Sequence, residues 1–524
     1  MNVIRRNAPA VLWLLASLAL LVVAAANVSS AFIFPLELEA REGTSWLHVL
    51  TLQAGIPLYD HTRVAFLNMN HGPMDSILKS WVYDLLPFLT PAMVTRIFVL
   101  LLPFGLFLAL HRALRSHWVV AVACAGTLYL FLLGLAPPHF LIGRSDPAAL
   151  FFLALTLVAG DAAVRCTAGW GGRLGRVALV GVLAAVVFLL NWRFLPVLGL
   201  VAIGWTVEGI VAHGGRRITW IALNAGGSIT AFFITFLVFL FTVFHGDFPL
   251  YFSHFFGFFL PDSGWGAGRG AAYAIFPAEI RPELWPMHVL LAVLLCLMPL
   301  LPAARIRRWV HLGVWLPLLA GIWGVVTMAY YLNQSGGGIY YLAPFYVVAA
   351  WYLARVVDWS AFRSPAFRIA LLLCLIGTVP WVADWRQARL LHDTITPARA
   401  FLTEARRLTG GRPIHSEDLY LFKTRYTGET IDMGDIVERA IPGGYYGDEF
   451  EETARRYFDH LKNNPPEFVI LGLSIRIASP TLTKLIDDSY VEILRAPPHL
   501  FGNQGGCAAL YQYRGKKEIP KNVP

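Results

Sequence analysis

The chain has 524 residues, of which 57% are hydrophobic and 14% are charged, and its mean hydropathy is +0.58. Soluble globular proteins are about 45–50% apolar and about 25% charged, so this composition excludes an ordinary soluble enzyme and indicates an integral membrane protein. The formal net charge of +9 does not predict a nucleic-acid partner. The excess of Lys and Arg lies in short loops between apolar segments, where membrane proteins concentrate it.

Apolar segments recur along the first 385 residues. About eleven of them are long enough, at roughly 17–25 residues, to cross a hydrocarbon core about 30 Å thick. The expected fold is therefore a polytopic α-helical membrane protein. The first segment is longer than the apolar part of a usual signal peptide, so we expect it to be retained as a helix. Only a turn at 191–193 separates the fifth segment from the sixth, so these two could be miscounted. The predicted spans lie near residues 10–34, 92–111, 118–137, 147–164, 176–191, 194–212, 218–244, 286–303, 310–331, 338–356 and 367–385.

The loops between these spans fall into two alternating sets. About fifteen Arg residues lie in one set and about seven cations in the other, and the more basic loops stay in the cytoplasm. An N-terminus on that side and an odd number of spans place the polar tail outside. Its short β-rich runs, such as 468–473, alternate with polar helical pieces. We expect residues 1–385 to form a transmembrane domain and residues 386–524 a small extracytoplasmic (periplasmic) α/β domain, in a bacterial inner membrane.

Acidic residues cluster on the predicted outer side. Carboxylates are costly at a bilayer, so in a multispanning protein they are functional candidates. Glu42, in the first outer loop, and Asp146, before the fourth span, could serve as a general base towards an acceptor hydroxyl. Ordinary juxtamembrane charge is the alternative for both, and Asp146 could instead cap the helix that begins at Pro147. Glu37 and Glu39 offer the same chemistry as Glu42, but we expect them to be more easily solvated.

Three arginines on the same side are candidates for binding a donor phosphate. Arg144, Arg193 and Arg269 each carry a guanidinium group, which matches phosphate oxygens in a bidentate geometry. Arg193 could instead be an anchor at the membrane interface. The sequence contains no Walker loop and no dinucleotide fingerprint, which argues against an ATP-driven pump or an oxidoreductase.

Four further residues could contact the acceptor or shape the outer loops: His48, Asn70, His71 and Tyr340. Tyr340 follows three consecutive glycines and could equally belong to an aromatic belt. Histidine and carboxylate side chains can bind a divalent cation, but no metal-ligand spacing is present. We therefore predict no metal site and no certain cofactor, and leave Mn²⁺ or Mg²⁺ open.

The first outer loop contains a characteristic order of motifs. Glu42-Gly43 is followed by His48, then by Ala54-Gly55-Ile56-Pro57-Leu58-Tyr59 and Asn70-His71-Gly72-Pro73-Met74. Gly143-Arg144-Ser145-Asp146-Pro147 precedes a later apolar helix. This order resembles the GT-C superfamily of membrane glycosyltransferases, and within it the protein O-mannosyltransferase and aminoarabinose-transferase-like group.

The resemblance implies a GT-C-like catalytic domain over residues 1–385. Members typically carry an acidic pair and then a Pro-Pro-Leu start to the next helix; here Arg41, Gly72 and Met74 replace the first acid, the first proline and the leucine. In relatives with a single acid before glycine the glutamate is the match, so the base role is carried to Glu42. The implied reaction is an inverting transfer, with a metal in one branch and without one in another. Its partners would be a polyprenyl-phosphate-linked sugar, membrane lipid, and a glycan, lipid or protein acceptor.

Two other functions stay open. A polymerase or ligase using lipid-diphosphate-linked glycans would normally hold its key residues in one large later loop, for which 245–285 is the candidate. A non-catalytic transporter or envelope scaffold would favour an internal repeat and charges deep in the membrane. The sequence shows no internal repeat. It also shows no charges deep in the membrane, because Asp161, Glu208 and Asp358 all lie near predicted cytoplasmic ends.

Overall fold

The structure is a computed structural model. Apart from a few single residues, it describes 28–38, 40–58, 73–114, 118–135, 143–164, 170–213, 222–243, 342–356, 385–426, 448–472, 478–497 and 508–515.

The described part of the first 356 residues is helical. Two helices of mixed polarity come first, within the segment predicted to be the first outer loop, and mostly apolar helices follow. Their bounds are α1 (Ala40–Gln53), α2 (Met74–Leu85), α3 (Pro91–Thr95), α4 (Ile97–Ala113), α5 (Trp118–Leu135), α6 (Ser145–Val164), α7 (Trp170–Leu190), α8 (Leu195–His213), α9 (Gly227–Val243, after a π-helical turn at Ala222–Gly226) and α10 (Ala343–Val356).

Hydropathy predicted these helices well. Among the described residues, four segments are long and apolar enough to cross a membrane: Pro91–Ala113, Ser145–Val164, Gly171–Leu190 and Ala222–Val243. Shorter apolar helices cover Val120–Leu133 and Trp192–Thr206. Together with the composition they show a helical membrane protein. The expected total of about eleven spans stays a prediction, because those near 286–303, 310–331 and 367–385, and most of 10–34, lie outside the described residues.

The fifth and sixth predicted spans are separate helices. Asn191 ends α7, and its side-chain oxygen accepts a hydrogen bond from the backbone N–H of Arg193 (3.2 Å). A single 3₁₀ turn at Trp192–Phe194 follows, and α8 begins at Leu195. A short polar side chain that bonds the backbone two residues later is a common way to close such a turn.

Helices α4, α6, α7 and α9 pack in sequence, with α6 between α4 and α7. The apolar side chains of α6 are largely buried, whereas α9 contacts α7 and leaves a broad apolar face exposed. A contiguous exposed apolar surface of this kind marks a membrane or protein contact. Lipid would therefore cover the face formed by Ile229, Phe233, Ile234, Val238 and Phe241.

A network of charged side chains joins α4, α6, α8 and α10 at one end of the bundle. Arg112 donates to Asp161 (2.8 Å), and the guanidinium group of Arg355 also contacts Asp161 (3.3 Å). Arg355 binds the Glu208 carboxylate through two nitrogens and lies over the ring of Trp351, 4.6 Å from its centroid. Four helices are thus connected by opposite charges at the end remote from Asn191.

The polar tail contains both helices and strands. Helices α11 (Trp385–Thr409), α12 (Asp448–Asn463) and α13 (Pro480–Ser489) accompany strands β1 (Phe468–Leu471), β2 (Tyr490–Arg495) and β3 (Ala509–Tyr513). The sheet order is β1-β3-β2, with antiparallel pairing on both sides of β3 and a bulge between Glu492 and Leu494. The β-rich run predicted at 468–473 is therefore observed as β1. The expected domain boundary at 385 and the extracytoplasmic location of the tail stay predictions.

The tail packs on residues of the predicted first outer loop. Phe34 and Leu36 share one buried cluster with residues of α11 and the sheet, including Phe401 and Leu510. The indole N–H of Trp46 in α1 donates to the backbone oxygen of Lys423 (2.9 Å). The first loop and the tail therefore have a common core.

Candidate functional site

Glu42 forms a completely buried ion pair with Arg96, at the junction of α3 and α4. The Nε and Nη2 atoms of Arg96 donate to the two oxygens of Glu42 at 2.7 and 2.6 Å, and neither side chain has exposed surface. The other guanidinium N–H groups donate to the backbone oxygens of Ala31 (2.5 Å), Phe34 (2.7 Å) and Leu36 (2.7 Å). Arg96 thereby fixes the segment that precedes α1.

Both Glu42 oxygens also accept backbone hydrogen bonds. The N–H of Leu38 donates to Oε2 (2.7 Å) and the N–H of Gly143 donates to Oε1 (2.5 Å). A general base must reach the proton that it removes, directly or through one water. A carboxylate with no exposed surface and four donors on it meets this requirement poorly. The base role of Glu42 stays a prediction, and the observed contacts favour a structural role.

A second buried ion pair lies beside the first. Asp75 and Lys79 are one turn apart on α2, with Nζ 2.6 Å from Asp75 Oδ2. The same ammonium group donates to Ser45 Oγ (2.9 Å) and to the backbone oxygen of Gly143 (2.6 Å), which uses all three of its N–H groups. Lys79 thus connects α1, α2 and the residue before Arg144.

His48 contacts α2, the helix that carries Asp75 and Lys79. Its Nδ1 atom lies 3.2 Å from Ser76 Oγ, and its Nε2 atom is buried without a hydrogen-bond partner. Burial, helped by the charge of Lys79, lowers the pKa of His48 to about 3. The imidazole is therefore neutral at physiological pH. It does not supply a positive charge, and its predicted role in contacting the acceptor or shaping the loops stays a prediction.

Arg144, Asp146 and Arg193 come together through Asn191. The amide nitrogen of Asn191 donates to Asp146 Oδ1 (3.1 Å), while its amide oxygen accepts from the backbone N–H of Arg193. Arg144 Nε lies 3.6 Å from Asp146 Oδ2. Arg144 and Asp146 are buried, and Arg193 is half-buried beside Trp192. One amide therefore bridges the starts of two apolar helices.

The local field at this point favours an anion. Helix α6 begins at Ser145 and α8 at Leu195, so the N-terminal ends of two long helices meet at the Asn191 bridge. Helix N-termini carry about half a positive charge and unsatisfied N–H groups. Arg144 and Arg193 contribute two positive charges just before these helices, whereas Asp146 contributes one negative charge among the described residues of the bridge.

Gly143 connects both ion pairs to this bridge. A side chain at position 143 would place Cβ 2.7 Å from the backbone oxygen of Thr95 and 2.8 Å from its carbonyl carbon, so only glycine fits. Its N–H binds Glu42 and its carbonyl binds Lys79, and the next residue is Arg144. The motif 143–147 was predicted for its charges, but its glycine has the more stringent geometric requirement.

Glu37 differs from its expectation. We predicted that it would be more easily solvated than Glu42, and this is wrong, because Glu37 is completely buried against the tail. Its Oε1 atom accepts hydrogen bonds from the backbone N–H groups of Tyr420 and Leu421, while Oε2 has no hydrogen-bond partner. Burial, with a smaller contribution from the charge of Glu42, raises the pKa of Glu37 to about 7. Glu39 lies outside the described residues.

The described residues thus bring together Glu42, His48, Arg144, Asp146 and Arg193. Those that lie outside the described part of the chain are Asn70, His71, Arg269 and Tyr340. Within the described part, no group of three or more His, Cys, Asp or Glu side chains could hold a metal ion. We therefore derive no step through a metal ion.

Sequence reasoning missed Arg96, Asp75, Lys79 and Asn191. Arg96 lies inside the predicted span 92–111, and a charge within a span requires a partner. Asp75 and Lys79 have the i, i+4 spacing of a helical ion pair. These two signals would have marked three of the four residues.

No protein-family model and no curated protein matches the sequence. Among solved structures, ArnT from Cupriavidus metallidurans bound to undecaprenyl phosphate is similar over 93% of this chain and 97% of that chain, at 13% identity and a TM-score of 0.49. Its apo form gives 14% identity and a TM-score of 0.40 over the same shares of the two chains. The Archaeoglobus fulgidus oligosaccharyltransferase, tethered to an acceptor peptide containing the NVT sequon, is similar over 97% of this chain and 75% of that chain, at 13% identity and a TM-score of 0.42.

Both proteins are members of the GT-C superfamily, the one that the sequence motifs resemble. Because identity is low and the TM-scores are below 0.5, we base the proposed function on this chain's own residues.

Proposed function

We propose that this protein is a membrane-embedded glycosyltransferase that moves a sugar from a polyprenyl-phosphate donor to a cell-envelope acceptor. The transfer would take place at the outer face of a bacterial inner membrane, and the acceptor would be a glycan, a lipid or a protein. The observation that carries the proposal is the pair of hydrogen bonds made by Asn191, which hold Asp146 beside the turn that contains Arg193 and begins α8. A proton acceptor and two arginines then share one site between two helix N-termini.

The donor phosphate would bind between Arg144 and Arg193. Guanidinium groups donate to phosphate oxygens in pairs, and the N-terminal ends of α6 and α8 add further positive potential. These groups stabilise the charge that develops on the leaving phosphate as the sugar departs. Because Arg193 is half-buried and Arg144 is buried, we expect Arg193 to meet the phosphate first.

We assign to Asp146 the role of general base, which removes the proton of the acceptor hydroxyl. Its Oδ1 accepts from Asn191, while its Oδ2 has no hydrogen bond to the described part of the chain and lies 3.6 Å from Arg144 Nε. The acceptor hydroxyl would give its proton to Oδ2 as its oxygen bonds to the anomeric carbon. The bond from that carbon to the phosphate oxygen breaks, and its electron pair leaves with the polyprenyl phosphate. Attack opposite the leaving group inverts the anomeric centre.

Glu42 then acts through other residues. Its contacts with Arg96 and Gly143 hold the backbone that precedes Arg144. We therefore propose Glu42 as a positioning residue, and keep its predicted role as a base as the alternative that mutagenesis decides.

The test is mass spectrometry of lipid that co-purifies with the detergent-extracted protein. We expect the wild type to carry a polyprenyl-phosphate sugar, and Arg193→Ala and Arg144→Ala to lose it. Arg176→Ala is the matched control, because Arg176 is an exposed arginine near the opposite end of α7, where it donates to a backbone oxygen (3.2 Å). Bulk phospholipid alone in every sample would contradict the donor assignment. A lipid diphosphate in the wild type would instead favour the polymerase or ligase function.

A further inference from the structure

Gly143 is held on both sides of its backbone by buried ion pairs. Its N–H donates to Oε1 of Glu42 (2.5 Å), which is paired with Arg96. Its carbonyl oxygen accepts from Lys79 Nζ (2.6 Å), which is paired with Asp75. Among the described hydrogen bonds, Gly143 is the residue that contacts both pairs.

The Lys79 contact acts on the peptide unit of Arg144 itself. The carbonyl of Gly143 and the N–H of Arg144 belong to one planar peptide group. Fixing that oxygen therefore fixes the plane from which the Arg144 side chain departs. Behind the glycine, the backbone of Thr95 lies close enough to exclude a Cβ atom, so the peptide has little room to shift.

We propose that Lys79, held by Asp75, is a positioning residue that orients Arg144 for the donor phosphate. This inference rests on the proposed function. A guanidinium group whose backbone is fixed in advance loses less conformational freedom when the phosphate binds, which strengthens binding. Without the Lys79 contact, the 143–144 peptide can rotate and the phosphate has to select one orientation of Arg144.

A purely structural role of the Asp75–Lys79 pair predicts a different result. In that case its removal would destabilise the protein and leave the donor affinity of the folded fraction unchanged. The pair of Arg355 and Glu208 at the other end of the bundle serves as a control, because it is also a mostly buried ion pair, although it joins two helices whereas Asp75 and Lys79 lie on one. Its loss should affect stability and not donor binding.

The test is the dissociation constant for undecaprenyl phosphate, measured on the full chain in nanodiscs. The main variant is Lys79→Met with Asp75→Leu, which removes both charges together, since apolar replacement of a whole buried pair is often tolerated. We expect at least tenfold weaker binding. Arg355→Met with Glu208→Leu should bind within threefold of wild type.

Combination with Arg144→Ala gives the decisive comparison. If Lys79 acts through Arg144, removing the pair from the Arg144→Ala protein should weaken binding no further. Independent, multiplicative losses would overturn the proposal, as would wild-type affinity of the Lys79→Met, Asp75→Leu protein.

A milder variant keeps the test informative if the apolar pair does not fold. Lys79→Gln with Asp75→Asn retains hydrogen-bonding groups but shortens the reach to Gly143, and we expect at least threefold weaker binding. Unchanged binding by this folded variant would also overturn the proposal. A wild-type protein that does not bind undecaprenyl phosphate would overturn the proposed donor and this inference together. If Arg144→Ala loses binding but the Asp75 and Lys79 variants keep it, only the role of Lys79 is overturned.

Discussion

The carboxylate of Glu42 and the guanidinium of Arg96 face each other in a bidentate ion pair with no exposed surface on either side chain. Arg96 also binds three backbone oxygens of the entering segment, and Glu42 binds two backbone N–H groups. A buried charge pair is tolerated when the remaining hydrogen-bonding positions are filled, and here they are. The pair therefore holds α1 and the residues before it against the starts of α4 and α6.

Substitution of Asp146 should reduce chemistry more than stability. Asp146→Asn retains the size of the side chain but removes the proton acceptor, and general-base loss typically lowers turnover by about 10²–10⁴-fold. We expect that loss with donor binding retained. Turnover per folded molecule and the thermal midpoint, measured on the same preparation, check this.

Glu42→Gln should show the opposite balance. Loss of one charge leaves Arg96 buried and unpaired, so we expect a destabilisation of about 3–5 kcal/mol. Turnover per folded molecule should fall less than in Asp146→Asn. A stable Glu42→Gln protein that binds donor and has lost all turnover would make Glu42 the base instead.

The charged network at the other end of the bundle should be dispensable for the donor. Asp161→Ala leaves Arg112 without its buried acceptor and removes one partner of Arg355. We expect a loss of about 1–3 kcal/mol in the free energy of unfolding, because charge-assisted hydrogen bonds are lost while Arg112 remains partly exposed and Arg355 keeps Glu208. Denaturation in detergent and undecaprenyl phosphate affinity are the two measurements. A large change in affinity without a change in stability would contradict a structural role.

Position 143 should not tolerate even the methyl side chain of alanine. Gly143→Ala would place Cβ 2.7 Å from the backbone of Thr95, so we expect lower stability and weaker donor binding. Gly171→Ala is the matched control in α7, where the added Cβ meets nothing within 4 Å. That control should be neutral or slightly stabilising, since alanine favours a helix over glycine by up to about 1 kcal/mol. Equal behaviour of the two variants in thermal unfolding would contradict the close approach.

The contact between Glu37 and the tail should weaken as pH rises. Burial raises the pKa of Glu37 from an ordinary value near 4.5 to about 7, so the docked state binds the proton more tightly than the undocked state. The stabilisation is complete below about pH 4.5 and is lost as pH rises through about 7, with a magnitude on the order of 3 kcal/mol. Hydrogen exchange at Tyr420 and Leu421, corrected for the intrinsic rate, measures it.

Glu37→Gln should remove much of this pH dependence. Glu417, whose pKa is raised by burial to about 8, lies in the same part of the tail and contributes a dependence of the same sign. Glu417→Gln therefore serves as the companion variant. A Glu37→Gln protein with an unchanged pH profile would assign the effect to the tail rather than to its contact with the first loop.

Span positions were predictable because lipid requires long apolar runs, and the helices at Pro91–Ala113 and Ser145–Val164 lie where hydropathy placed them. The pairing of charges was not. Arg96 and Glu42 are 54 positions apart, Lys79 and Gly143 64, and Tyr420 and Glu37 383. Contacts across such separations depend on how helices pack, which no local pattern records. For the same reason Glu37 was expected in solvent and is buried.

The shared core of Phe34, Leu36, Phe401 and Leu510 determines when, during synthesis of the chain, the first loop can finish folding. The ribosome synthesises the first outer loop before any tail residue, yet that loop packs against strands near the C-terminus. Its final conformation is therefore reached only after translation is nearly complete. A chain that stops before α11 would leave Phe34, Trp46 and Glu37 without their partners in the tail, and the membrane quality-control machinery would then act on a protein whose first loop is not yet packed.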